Sequence, residues 1–262
     1  MYDCTLAKRI VVKVGTSTLT HENGKANLRR MEELCKVLSD LRNSGKEMIL
    51  VTSGAIGMGV GKLGLKARPT QTQMKQAVAA VGQCELMFMY DKLFGEYGST
   101  VAQILLTGDV ISNPISRGNV ENTFEALLDM GIIPVVNEND TVAVDELEGQ
   151  RIGDNDNLSS IVAQIVKADL LVILTDIDAL YDADPRTYPQ AKRIPYVEKV
   201  TPEIFALAGD AGSERGTGGM VTKLQAAQRA GEAGIACCIM CGDNPSSLYT
   251  LLDGKSIGTL FG

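Results

Sequence analysis

The sequence predicts an α/β protein with an open, mainly parallel sheet sandwiched between helices. Three observations predict it. Short apolar runs of strand length alternate with longer amphipathic stretches along the chain. Glycines recur where a helical stretch gives way to a strand, at Gly45, Gly98, Gly131 and Gly234, where a left-handed helix cap is wanted. No linker rich in Pro, Gly or Ser and no repeat of fixed period divides the 262 residues. Such alternation implies βαβ crossovers, with parallel strands and helices on both faces.

In chain order, the strands are expected at residues 9–14, 47–52, 101–107, 132–137, 170–175 and 236–241, each buried on both faces. The first long helix is expected at 27–43, with Met31, Leu34, Cys35, Leu38 and Leu41 on one stripe. Further helices are expected from the Asp154 region to about 167 and from 222 to 232. Residues 141–153 read as a hairpin-like excursion turning at Glu148-Gly149, either a surface hairpin or a flap over a substrate.

Composition narrows the function. Hydrophobic residues make up 45% and charged residues 22%, which is ordinary globular usage. A net charge of −7 argues against a surface built to neutralise nucleic-acid phosphates. The first nine residues, with Asp3, Lys8 and Arg9, lack a signal-peptide pattern, and no apolar run approaches the ~20 residues of a membrane span. The six cysteines read as reduced, mostly buried thiols. Cys238 and Cys241 form a lone C-x-x-C far in sequence from the sole histidine, His21, a poor basis for a zinc site.

In open parallel sheets, ligands bind beyond the carboxyl ends of the strands. Those ends are rich here in small and polar residues: Lys13-Val14-Gly15-Thr16-Ser17-Thr18, Thr52-Ser53-Gly54-Ala55-Ile56-Gly57 and Asn137-Glu138-Asn139-Asp140. Lys13 interrupts an apolar strand, and a buried lysine requires an anion. A glycine cluster, Gly216-Thr217-Gly218-Gly219-Met220-Val221-Thr222-Lys223, stands before a helix, where backbone N–H groups and the helix dipole favour phosphate. It lacks the spacing of a Walker A motif. Gly153-Asp154-Asn155-Asp156-Asn157 supplies more Asp and Asn than one helix cap needs. Gly59-Val60-Gly61-Lys62-Leu63-Gly64 matches a dinucleotide fingerprint in letters only, because Arg68-Pro69 would stop the required helix at once.

Taken in order, Lys13-Val14-Gly15-Thr16-Ser17, Val51-Thr52-Ser53-Gly54-Ala55-Ile56, Asn137-Glu138-Asn139-Asp140, Gly153-Asp154-Asn155-Asp156 and Gly216-Thr217-Gly218-Gly219-Met220, with Leu174-Thr175-Asp176 between the last two, resemble the glutamate 5-kinases of the amino-acid-kinase family. The resemblance spans nearly the whole chain and implies a carbamate-kinase-like fold. It implies one domain over 1–262, with a lobe of about 1–168 binding the amino acid and a lobe of about 169–262 binding nucleotide. It implies transfer of the ATP γ-phosphoryl group to the glutamate side chain with Mg2+ carried mainly by the nucleotide, proline as feedback inhibitor, a cytoplasmic enzyme and a homo-oligomer, dimer or tetramer.

By position, the resemblance makes Lys13 and Lys223 the contacts of the transferring phosphoryl oxygens, with Asp156 orienting both. Ser53, Asp140 and Asn155 would hold glutamate. Lys13, Thr175, Asp176, Thr217, Gly218, Gly219, Met220, Val221, Thr222 and Lys223 would hold the nucleotide. The chain departs from the family at Ala179, where glycine is frequent, and ends where the kinase domain would end, without the PUA domain of many members. Kinases of acetylglutamate, aspartate or carbamate are the nearest alternatives. Aspartokinases read Lys-Phe-Gly-Gly-Thr where this chain reads Lys13-Val14-Gly15-Thr16. An amino-acid or nucleotide sensor without catalysis would have little use for both lysines and Asp156.

Overall fold

The structure, a computed structural model, describes residues 2–21, 25–143, 154–185, 187–208 and 219–262. Its described strands are β1 (Arg9–Val14), β2 (Glu47–Val51), β3 (Val101–Leu106), β4 (Ile133–Glu138), β5 (Leu170–Thr175), β6 (Leu180–Tyr181), β7 (Arg193–Ile194), β8 (Tyr196–Val197), β9 (Ala236–Cys241) and β10 (Thr259–Phe261). Its described α-helices are α1 (Thr16–Leu19), α2 (Leu28–Asn43), α3 (Ala55–Leu63), α4 (Thr72–Gly95), α5 (Gly108–Ser112), α6 (Pro114–Asp129), α7 (Asn155–Ile165), α8 (Pro202–Leu207), α9 (Met220–Glu232) and α10 (Ser247–Leu252).

Eight strands form one sheet in the order β3-β4-β2-β1-β5-β9-β10-β8. Every pairing in it is parallel except β9 with β10. β1 lies inside the sheet and is buried from Ile10 to Val14, which explains why its residues apart from Arg9 and Lys13 are apolar. β3 departs from the expectation of burial on both faces. As an edge strand, paired on one side only among the described strands, it leaves Gln103 exposed.

Side chains alternate across a strand, and the two cores follow that alternation. Ile10, Val12 and Val14 of β1 join Leu34 and Leu38 of α2, Leu86 and Tyr90 of α4 and Leu248 of α10 on one face. Val11, two residues before Lys13, joins Phe124 of α6, Leu158 and Val162 of α7 and Leu224 and Ala227 of α9 on the other. Lys13 therefore belongs to the face where α7 and α9 lie. By the same count Asn137 of β4 follows Ile133 and Val135 onto the α4 face.

Two glycines of the dinucleotide-like run and its neighbour helix serve packing. A Cβ on Gly59 would lie 2.0 Å from the Val78 carbonyl oxygen, and one on Gly82 would lie 1.7 Å from that of Ala55. The α3 and α4 backbones touch there, which holds α3 and the Ser53-Gly54 turn before it against α4. The α9 helix begins at Met220 rather than at Thr222 as expected, so Met220 to Lys223 form its first turn. Residues 144–153, with the expected Glu148-Gly149 turn, and Gly216, Thr217 and Gly218 lie outside the described residues.

Candidate active site

Four of the helices that begin along the carboxyl edge of the sheet, α1, α3, α7 and α9, have capping residues that differ in kind. Gly54 caps α3 at φ +98°, a left-handed backbone that suits glycine, and Gly219 caps α9; neither contributes a side-chain cap. Their first-turn N–H groups are thus available to an anion. Gly15, before the short α1, lacks a Cβ that would sit 3.6 Å from the Lys13 ammonium. Only α7 is conventionally capped, with the Asp154 carboxylate accepting from Asn157 N–H at 2.8 Å.

Asp156, in the first turn of α7, is 1% exposed and joins the two lysines. Lys13 Nζ pairs with Oδ1 at 2.6 Å. Lys223 Nζ and the Thr222 hydroxyl donate to Oδ2 at 3.1 and 2.8 Å. Thr222 also lies 2.9 Å from the Gly219 carbonyl, tying this cluster to the cap of α9. Burial would push the Asp156 carboxyl up, but the Lys13 and Lys223 charges and the Thr222 bond outweigh it and hold it at about 2. Among the described residues, two cations face this one anion, and both lysines are over nine-tenths buried.

A second, uncharged cluster lies beside the first. Asn155 Nδ2 donates to the Thr52 carbonyl at 2.6 Å, Ser53 Oγ at 2.8 Å and Asn137 Oδ1 at 2.9 Å. Asn137 Oδ1 also accepts from Glu138 N–H at 2.9 Å, and Asn137 Nδ2 donates to Gln83 Oε1 at 2.8 Å. The Thr52 hydroxyl and buried Tyr90 hydroxyl, 2.7 Å apart, secure the β2 end from the α4 side. Asp140, half-buried, lies two residues beyond β4.

The edge therefore has an order. Asp140 follows β4, Ser53 follows β2, Lys13 is the penultimate residue of β1, Thr175 ends β5, and Gly242 follows β9. Thr175 is buried, its hydroxyl donating to Asp176 at 3.0 Å and its carbonyl accepting from Gly242 N–H at 2.7 Å, while Asp176 is exposed. Ala179 is fully buried, so its methyl belongs to the core.

Of the residues expected from sequence, the structure brings together Lys13, Asp156, Lys223, Thr222 and Gly219 in one cluster and Ser53 with Asn155 in the other. Met220 is buried at the start of α9, and Val221 is exposed beside it. Sequence reasoning gave no role to Gln83 or Tyr90, because a polar residue inside an amphipathic helix reads as surface. It singled out Asn137 only as part of a strand end. Among the described residues, no group of three or more His, Cys, Asp or Glu gathers as a metal site.

The amino acid kinase family matches residues 8–241. A glutamate 5-kinase of Clostridium perfringens (strain 13 / Type A) is 57% identical over 256 residues, 97% of this chain and 95% of that protein. One from Listeria monocytogenes serovar 1/2a is also 57% identical, covering 97% of this chain and 93% of its own. Among solved structures, a carbamate kinase from Giardia lamblia bound to AMP-PNP superposes with a TM-score of 0.66 at 16% identity, over 98% of this chain and 99% of that one. At that identity the likeness speaks to the fold.

Proposed function

The chain belongs to the amino acid kinase family, close to its glutamate 5-kinases, and on that premise we propose that it phosphorylates the side-chain carboxylate of L-glutamate with ATP, giving L-glutamyl 5-phosphate, the first step of proline biosynthesis. The observation that carries this reading is the order of the sheet edge. Amide and carboxylate groups suited to an amino acid follow β2 and β4, a buried cationic cluster sits at β1, and glycine-rich and hydroxyl groups suited to nucleotide lie towards β5 and α9.

The chemistry asks for little else. A glutamate carboxylate, with an ordinary pKa near ~4.3, is ionised at neutral pH and needs no general base. Its oxygen forms the new bond to the γ-phosphorus as the bridging β–γ P–O bond breaks, and ADP leaves with that electron pair. Catalysis then consists of alignment and of cancelling charge on the phosphoryl oxygens. Lys13 and Lys223 serve the second need from either side of Asp156, which separates the two ammoniums and aims both.

Ser53, Asp140 and Asn155 hold glutamate on this reading. Thr175, Asp176 and residues 217–223 hold ATP, with the first-turn N–H groups of α9 facing phosphate. The protein offers no cage for a metal among its described residues, and the lysines and Thr222 occupy Asp156. Magnesium carried by the nucleotide would lower the negative charge of its phosphates. The two lobes divide the work at about residue 168. Proline feedback and a cytoplasmic homo-oligomer complete the reading: no helix among the described residues is long and apolar enough to cross a membrane, and exposed Met74, Val81 and Phe88 along α4 suit contact with another copy.

The test is ADP release from ATP and magnesium with glutamate, acetylglutamate, aspartate or carbamate as acceptor. Release with glutamate alone is expected. Release with a different acceptor reassigns the substrate, and none with any acceptor removes the reading.

A further inference from the structure

Resting on the glutamate reading and deepening it, we infer that Asn155 meets the substrate with its carbonyl oxygen, an acceptor kept for the α-ammonium group, and that Gln83 is a positioning residue for that arrangement.

An asparagine amide has two donors at one end and an acceptor at the other, so its selectivity depends on which end faces outward. At Asn155 the main chain decides. The Thr52 carbonyl oxygen, 2.6 Å from Nδ2, can only accept. Turning the amide over would set two acceptor oxygens against each other. Asn137 Oδ1 repeats the constraint, because that oxygen is itself identified as an acceptor by the Glu138 N–H. The two N–H bonds of Asn155 are thus shared among three protein acceptors. What remains for a ligand is Oδ1, which meets no donor among the described residues. An oxygen there attracts an ammonium and repels a carboxylate.

Gln83 completes the chain of amides from α4. Its Oε1 takes the Asn137 Nδ2 donor at 2.8 Å, while its own Nε2 finds no partner among the described residues, although the residue is only 8% exposed. A buried, unpaired N–H opposes folding, so a side chain kept only to fill this space would be apolar. The acceptor is what the position supplies. Without it, Asn137 carries a buried donor with nothing to meet, its amide leaves this arrangement, and Asn155 loses one of the oxygens that hold its nitrogen inward.

The experiment compares the parent with Gln83→Met, Gln83→Glu and Asn155→Ser, using glutamate and 2-hydroxyglutarate, which carries a hydroxyl in place of the ammonium. Gln83→Met is expected to raise KM for glutamate by about fivefold to tenfold, with kcat and KM for ATP within about twofold. Its preference for glutamate over 2-hydroxyglutarate should shrink by a similar factor. Gln83→Glu keeps an acceptor oxygen and should restore both. Asn155→Ser leaves the Gln83–Asn137 bond in place and should lose the same preference, so the inference remains testable where the Met variant does not fold. An undiminished preference in either folded variant overturns the inference, and so does a loss that moves KM for ATP and for glutamate together. A parent without glutamate-dependent ADP release overturns the glutamate reading and this inference with it. A normal parent whose variants keep the preference overturns this inference alone.

Discussion

The two polar clusters that meet at the start of α7 solve burial in different ways. Around Asp156, formal charges are buried and joined by ion pairs. Around Asn155, no charge is buried, and among the described residues every amide end but two, Gln83 Nε2 and Asn155 Oδ1, is matched to a main-chain or side-chain partner. Ion pairs are strong at short range and weakly directional, suiting a task in which phosphoryl charge is redistributed. Amides are directional and carry no net charge, suiting a task in which one end of an amino acid must be told from the other. The first cluster should therefore govern kcat and the second KM for glutamate.

The strongest attempt to break that division removes a lysine. Lys13→Ala or Lys223→Ala should lower kcat by about 10²-fold or more in a folded protein, with a much smaller change in KM for glutamate. A near-normal kcat would take that lysine out of the mechanism. Asp156→Asn should also lower kcat severely, with no new limb in the pH–rate profile, because no base is lost. Activity returning with rising pH would speak for a general base instead.

Stability sharpens the contrast at low pH. Asp156, held at about 2, stabilises the folded chain above its unfolded value of ~3.9, and that contribution is lost as pH falls from about 4 to about 2. Urea unfolding should show the parent losing stability over that window more steeply than Asp156→Asn. Equal slopes would mean that the ion pairs do not form as described.

A milder test concerns the second cluster. If Asp140 meets the substrate ammonium, Asp140→Asn should raise KM for glutamate by about tenfold, since a charged hydrogen bond is worth ~1.5–3 kcal/mol, with KM for ATP nearly unchanged. An unchanged glutamate KM would turn attention to Glu138. The smallest effect is expected for Thr222→Val, which removes one of three donors around Asp156 while sparing both lysines. A fall in kcat of about threefold to tenfold should appear in single-turnover measurements.

The strands were most legible where burial is most complete. β1, β5 and β9 run between the residues that the apolar pattern indicates, because inner parallel strands are apolar on both faces. Gly45, Gly98, Gly131 and Gly234 all take positive φ, so the expected helix endings are correct for the expected reason. Legibility falls at the sheet's margins. β3 lies on an edge, and β10 is three residues long, too short for any periodicity to register. In the site, Lys13 was visible because a charge in an apolar strand breaks a pattern. Gln83 was not, because its partner Asn137 lies far along the chain on β4, and a polar residue within a helix gives no sign of such a long-range bond.

Asn155 and Asp156 are consecutive residues in the first turn of α7, yet each belongs to a different cluster. A helix turns by about 100° and rises about 1.5 Å per residue, so one peptide unit fixes the separation of the two clusters. Changes in chain length are therefore tolerated very unequally. Insertions upstream of the Asp154 cap can be absorbed before the helix begins. A single residue inserted between Asn155 and Asp156 would swing one of them away from its partners and sever recognition from chemistry at a stroke. Among surviving descendants of this chain, drift in length should collect before the cap and never within that dipeptide.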